Sequence, residues 1–357
     1  MIVIADDITG AAEIAGIAFS KGLKVHLVCG RPACSCATAT NEATVIATDT
    51  RSMTEAEAIA ETRRIASALG PQSSPIFKKT DSALRGHVVA ELSALMQATG
   101  CRCAVYLPAN PSKGRIIRNG IYYINETPVA ETDFSYDPEF PARTSVLHER
   151  FPDAEEKGII MPDATSIDDI RQAVATNNDG QTIFAGAADL WDVTLGSGTS
   201  VSSRADILKC PAPNVASTLI LCGSTQSRPL DLGIPIAPMP VELYDGSSDL
   251  TLWKTDSHHS SLILTIPHQH RTGKAIAVHL RTLMARKTKA LVESHRPDHL
   301  IIEGGATAWA VLQALGWNRF EIRQQVSPGV VTMEADNGTL VTLKPGSYPW
   351  GQLFKKT

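Results

Sequence analysis

Little in this sequence is extreme, and several signatures are missing outright. Aromatics make up 5% of its 357 residues, and no apolar run approaches the ~20 residues that span a bilayer. With 33 basic and 37 acidic residues the net charge is -4, and no basic run is longer than a few residues. Nucleic acid is therefore not an expected partner. The seven cysteines, at 29, 34, 36, 101, 103, 210 and 222, contain no C-x-x-C pair. Their odd number and spacing suit reduced thiols rather than a disulfide frame or a metal cage, and no metal site is expected. His258-His259 and His268-x-His270 are equally poor ligand sets. The first seven residues, Met1-Ile2-Val3-Ile4-Ala5-Asp6-Asp7, meet acids too early for a secretory leader, so a cytoplasmic location is expected. Neither a Walker A loop nor a G-x-G-x-x-G fingerprint occurs, and there is no G-x-S-x-G elbow.

What is present is an alternation of short apolar runs and helical patterns, which predicts an α/β chain. Strands are expected at 2–5, 23–29, 43–48, 74–77, 103–107 and 182–185, with helices between them. A capping box at Thr54 and Glu57 opens one of these helices. Asn119-Gly120 signals a hairpin between 115–117 and 121–124. Gly, Ser and Pro crowd the stretch from Gly196 to Asn214, and a domain boundary is placed near residue 200. The expected architecture is two α/β domains, 1–200 and 201–357, each with a largely parallel sheet flanked by helices and a ligand cleft between them.

Polar residues concentrate where predicted strands end. Lys78-Lys79-Thr80-Asp81-Ser82-Ala83-Leu84-Arg85-Gly86 packs three cations, a carboxylate and two hydroxyls around one strand-to-helix turn. A solvated turn with a Lys–Asp pair is the plain alternative; a small anion is the better reading, because open α/β sheets bind ligands at the C-terminal ends of their strands. Asp6-Asp7, Thr48 to Ser52, and the proline-stiffened loop carrying Asn110, Ser112, Lys113 and Arg115 fall at equivalent ends. Beyond residue 200, glycine turns follow three strands: Gly223-Ser224-Thr225, Gly304-Gly305 and Gly346-Ser347. Glycine lets backbone amides approach a phosphate, and a helix N-terminus favours its charge.

Together, Ile4-Ala5-Asp6-Asp7-Ile8-Thr9-Gly10-Ala11, Lys79 to Gly86, Pro108 to Arg115 and Gly304 to Ala308 resemble the four-carbon acid sugar kinase family. The likeness runs in order to about Val146 and thinly from Leu219 onward. It implies an ATP-dependent kinase acting on the terminal hydroxyl of threonate, erythronate or a related acid, with an N-terminal substrate domain and a C-terminal nucleotide domain. Nucleotide contacts would fall on Ser224, Gly304, Gly305, Ala306, Thr307 and Gly346. The chain departs from the family pattern at Pro229, at Ala306 and at its closing Gly346-Ser347-Tyr348-Pro349-Trp350-Gly351.

For such a reaction Arg85 is the candidate for the substrate carboxylate, supported by Lys78 or Lys79. Asp6, Asp7, Ser82 and Asn110 would read the hydroxyls, with Arg115 on the same loop as Asn110. Asp7 or Asp81 would accept the proton of the attacking hydroxyl. Mg²⁺ would arrive with ATP, held by few protein ligands. The expected partner is a small acid sugar, without nucleic acid or membrane, and a homodimer is compatible with these features. Two alternatives share the same residues: a silent acid-sugar sensor, and a kinase for a hydroxythreonine-like substrate. A hydrolase or lyase acting on a phosphorylated acid ranks below both.

Overall fold

The computed structural model describes residues 1–30, 41–69, 75–137, 139–196, 217–223, 230, 232–255, 261–266, 273–346, 350 and 353–354, and the chain divides into two units, Met1–Ser202 and Ser203–Thr357.

In the first unit the run Ile-Val-Ile-Ala is buried along its whole length and forms β1 (Ile2–Ala5), as a central parallel strand should. The remaining elements follow in order: α1 (Ile8–Ser20), β2 (Lys24–Cys29), β3 (Glu42–Ala47), α2 (Glu55–Leu69), β4 (Ile76–Lys79), α3 (Val88–Thr99) and β5 (Cys103–Leu107). A small antiparallel sheet, β6 (Arg115–Arg118), β7 (Ile121–Ile124) and β8 (Thr127–Pro128), precedes α4 (Leu147–Arg150), β9 (Ile159–Ile160), α5 (Ile167–Asn177), β10 (Thr182–Gly186) and α6 (Ala188–Thr194). The main strands lie in the order β2-β3-β1-β4-β10-β5-β9, all parallel.

Register decides what this sheet can do. Ala5 pairs with Ala47 on one side and Lys79 on the other, Lys79 pairs with Gly186, and Gly186 pairs with Leu107. The central strands therefore stop level, and Asp6, Thr48, Thr80 and Pro108 begin one rim. Gly186 is required there, because a Cβ would come within 2.1 Å of the Leu107 carbonyl. The expected hairpin forms, with Asn119 at φ 53° and Gly120 at φ 71° supplying the left-handed pair of a two-residue turn. The capping box forms too: the Glu57 carboxylate accepts from the Thr54 backbone at 2.9 Å.

The second unit comprises β11 (Thr218–Cys222), β12 (Ile236–Pro238), α7 (Val241–Tyr244), β13 (Leu262–Thr265), α8 (Lys274–His295), β14 (His299–Glu303), α9 (Gly305–Leu315), β15 (Arg319–Ser327), β16 (Val330–Ala335) and β17 (Leu340–Lys344). Strand order is β12-β13-β11-β14-β17-β16-β15, parallel through β17 and antiparallel thereafter. That meander went unanticipated. Its links are a turn at Gly329 and a turn at Asn337-Gly338, both too short to hold a helix between the strands. Among the described residues no helix is long and apolar enough to cross a membrane.

Candidate functional site

At the rim of the first unit the chain brings three carboxylates onto one guanidinium. Arg51, just beyond β3, holds Asp6 in a fork, Nε to Oδ2 at 2.9 Å and Nη2 to Oδ1 at 2.8 Å. Its Nη2 also donates to Asp7 Oδ1 at 3.0 Å, and Nη1 lies 3.7 Å from Asp81. The arrangement follows from the level strand ends, since each of these residues leaves a neighbouring strand at the same height.

Burial separates the three acids. Asp6 is pushed above its ordinary range chiefly by burial, with Asp7 adding to the effect against the pull of Arg51. Asp7 is half-buried, and Arg51, Lys79 and hydrogen bonds from the Thr9 hydroxyl and Gly10 amide outweigh its desolvation and hold it low. Its bond to Gly10 caps α1 at the N-terminus. Asp81 lies far below the usual carboxylate range, because Arg51, Arg85 and Lys79 together overcome its desolvation.

Arg85 turns back on Asp81 through Nε at 2.7 Å and Nη2 at 3.0 Å, and its Nη1 lies 3.6 Å from Asp137. The turn that allows this places Leu84 at φ 64°, a left-handed conformation costly for a branched side chain. Its cost is met by burial of the leucine and by Arg150, whose Nη2 donates to the Leu84 carbonyl at 3.0 Å. Phe134 lies beneath two cations, with Arg85 at 5.9 Å and Arg115 at 5.7 Å from its ring centre. Arg115 also donates to the Ser82 hydroxyl, and among the described residues it has no carboxylate partner.

The two lysines of the motif belong to β4 rather than to the turn. Lys78 is fully buried and bonds Glu91 of α3 at 2.6 Å, facing the helix layer. Lys79 projects to the opposite side, as the strand's two-residue period requires, giving a hydrogen bond to the Thr80 carbonyl at 2.7 Å and lying 3.8 Å from Glu13. Asn110 is buried, and its Oδ1 accepts from the Asp189 amide at 3.0 Å, at the start of α6. Thus Asp6, Asp7, Asp81, Arg85, Ser82 and Arg115 share one rim, while Lys78 and Asn110 tie that rim to the layers behind it. Arg51 was noted in sequence only as part of a polar strand end. Phe134 and Asp137 lie in a stretch read as irregular loop, where no periodicity points to them.

In the second unit Gly223, Gly304, Gly305, Ala306, Thr307 and Gly346 line one cavity of about 360 Å³, together with Ile266 and, from α8, Ala277, Leu280 and Arg281. Gly304 adopts φ 94° as the residue before α9, which has no side-chain cap. The first amides of that 11-residue helix are thus left to a ligand or solvent. Gly223 cannot carry a side chain, since a Cβ would lie 2.2 Å from Thr307 Oγ1. These features suit a phosphate chain: bare backbone, helix amides and one guanidinium. Ser224 lies outside the described residues. Arg281 had no motif to mark it, because a lone arginine on a polar helix looks like any solvated residue.

Comparison with known proteins gives a consistent picture. Residues 1–190 match the model of a sugar-binding N-terminal domain, and residues 253–348 that of a nucleotide-binding C-terminal domain. A 3-oxo-tetronate kinase of Brucella melitensis is 27% identical, over 97% of this chain and 92% of its own length. A D-threonate kinase of Salmonella typhimurium is 33% identical over 42% of this chain and 35% of its own length, and a D-erythronate kinase of Heliobacterium modesticaldum is 30% identical over 41% and 34%. Among solved structures, a protein from Salmonella typhimurium described as a putative tRNA synthase superposes with TM-score 0.75 at 20% identity, covering 99% of this chain and 97% of that one.

Proposed function

The chain belongs to the four-carbon acid sugar kinase family, and on that footing we propose that it transfers the γ-phosphoryl group of ATP to the terminal hydroxyl of a threonate- or erythronate-type acid. The observation that carries the acid half is the first unit's rim, where Arg115, a guanidinium with no carboxylate partner among the described residues, shares the Phe134 ring with Arg85.

Arg115 and Arg85 grip the substrate carboxylate. Arg85 keeps Nε and Nη2 on Asp81, so its contribution comes from Nη1, while among the described residues the Arg115 fork donates to the Ser82 hydroxyl alone. Asp6, Asp7 and Ser82 read the hydroxyls, since a buried acceptor left unpaired by the wrong isomer is costly. Asp7 takes the hydrogen bond of the attacking hydroxyl. Of the three acids on Arg51 its side chain is the most accessible, at 16% against 3% for Asp6 and 11% for Asp81. Asp81 has both carboxylate oxygens in the Arg85 fork and orients that guanidinium instead. A loose phosphoryl transfer asks little more of the base than alignment.

On the second unit, Gly304 to Thr307, Gly346 and Arg281 hold the phosphates of ATP in the glycine-lined cavity. Mg²⁺ would come with the nucleotide and neutralise its phosphate oxygens. Among the described residues no group of three or more His, Cys, Asp or Glu is placed to hold a metal by itself.

The test is ADP release from purified protein given ATP, Mg²⁺ and a panel of four-carbon acids, including 3-oxo acids and 4-hydroxythreonine. Substrate-dependent ADP with an acid sugar supports the proposal; ADP only with the amino acid redirects it, and none with any member refutes it.

A further inference from the structure

A buried ion pair sits directly behind the glycine cavity. Glu303 and Lys344 end the paired strands β14 and β17 in register with each other, and both are 1–2% exposed. The Lys344 ammonium donates to Glu303 Oε1 at 2.6 Å, to the Pro345 carbonyl at 3.0 Å and to the Gly346 carbonyl at 3.4 Å. Its three donors are then all committed. The Trp350 ring lies 4.7 Å from the same nitrogen, and the Gly304 amide donates to the Lys344 carbonyl at 2.8 Å.

Such a pair is expensive to bury, and replacing both members with apolar groups often costs a fold nothing. What an apolar pair cannot do is hold carbonyls. In a trans peptide the carbonyl and the following amide point opposite ways, and the described residues contain no cis bond. With the Pro345 carbonyl tethered to Lys344, the Gly346 N–H is aimed away from the lysine. Gly346 lines the cavity with Gly304 and Gly305, which directly follow Glu303 at the end of β14.

We propose that Glu303 and Lys344 are positioning residues for nucleotide binding: the pair locks the Gly304-Gly305 turn and the Gly346 turn against each other and aims backbone amides at a phosphate. Neither side chain touches the nucleotide. This inference rests on the nucleotide-binding reading of the cavity.

The experiment compares wild type with the double variant Glu303→Leu/Lys344→Met by calorimetric titration with adenylyl imidodiphosphate and Mg²⁺, and by thermal unfolding. The double variant is expected to unfold at or above the wild-type temperature yet bind the analogue at least about tenfold more weakly, the worth of one well-placed hydrogen bond to charge. KM for the acid should be unchanged. A folded double variant whose Kd stays within twofold of wild type overturns the proposal. If the double variant does not fold, Glu303→Gln/Lys344→Met, which keeps the shape of residue 303 but removes the ammonium that tethers the Pro345 and Gly346 carbonyls, decides instead: several-fold weaker binding supports the proposal and unchanged binding overturns it. Absence of analogue binding by wild type refutes the nucleotide reading itself, a result distinct from failure of the positioning role.

Discussion

Replacing Arg51 by methionine removes the cation on which Asp6, Asp7 and Asp81 converge while keeping much of its aliphatic volume. The Arg51 side chain is 18% exposed and makes three hydrogen bonds of 2.8–3.0 Å to two carboxylates, so solvent cannot replace it fully. Deleting one partner of a buried pair costs about 3–5 kcal/mol. At about 2–4 °C per kcal/mol for a unit near 200 residues, the melting temperature of the first unit should fall by roughly 6–20 °C at pH 7. The pH dependence identifies the cause. In wild type Asp7 and Asp81 are held below their ordinary value of 3.8, so their stabilisation is complete above that value and is lost only as pH falls through their depressed native values. Asp6 runs the other way: its raised native pKa means that stability declines as pH rises from 3.8 through that value. Without Arg51, burial raises all three, and the variant is relieved as they take up protons on acidification. The gap between wild type and Arg51→Met should therefore be widest near pH 7 and narrow toward pH 4. Scanning calorimetry across that range tests it; a gap below about 2 °C at pH 7, or one that does not change with pH, refutes the view of Arg51 as the hub of the rim.

Arg115→Ala should raise KM for the acid and lower kcat/KM by on the order of 10², leaving KM for ATP alone; an unaltered acid KM removes Arg115 from the carboxylate site. Lys78→Met should lower the melting temperature through the orphaned Glu91, and the double variant Lys78→Met/Glu91→Leu should recover most of the loss with a wild-type acid KM. A persistently high acid KM in that recovered protein would instead give Lys78 a direct hold on substrate. Burial depresses His299 from 6.5 to about 4, and its Nδ1 has no hydrogen-bond partner among the described residues. Stability attached to it is complete above pH 6.5 and is lost as pH falls toward 4, at up to about 1.4 kcal/mol per pH unit. His299→Leu should flatten melting temperature against pH in that window, and an unchanged slope would show that the imidazole does not titrate on unfolding.

The strand ends were legible because charge and glycine are rare inside buried parallel strands, so each polar cluster marked where a strand stopped. That logic found Asp6, Asp81 and the Gly304 turn directly. It misjudged Lys78 and Lys79, whose charges read as turn while the register of β4 on β1 carries them inside the sheet, one answered by Glu91. A partner thirteen residues away on the next helix leaves no trace in local composition. Arg51, Phe134 and Asp137 come to the rim from separate segments, and only the level register of β1, β3 and β4 and the fold of an irregular loop unite them. The antiparallel strands β15 and β16 escaped for another reason: short turns at Gly329 and Gly338 stand where the strand–helix alternation of the parallel sheets had led one to expect a helix.

The left-handed Leu84 bears on any attempt to transplant this motif. Its backbone conformation lets residue 85 face residue 81, yet its side chain must still find an oily socket and its carbonyl an arginine donor. A host scaffold given the nine letters from Lys78 to Gly86 alone would inherit the tension without the anchor, and the loop would relax into a shape in which the two charged partners no longer meet. The transferable module is thus larger than its signature: it includes the hollow that swallows one leucine and the distant guanidinium of Arg150 that braces it.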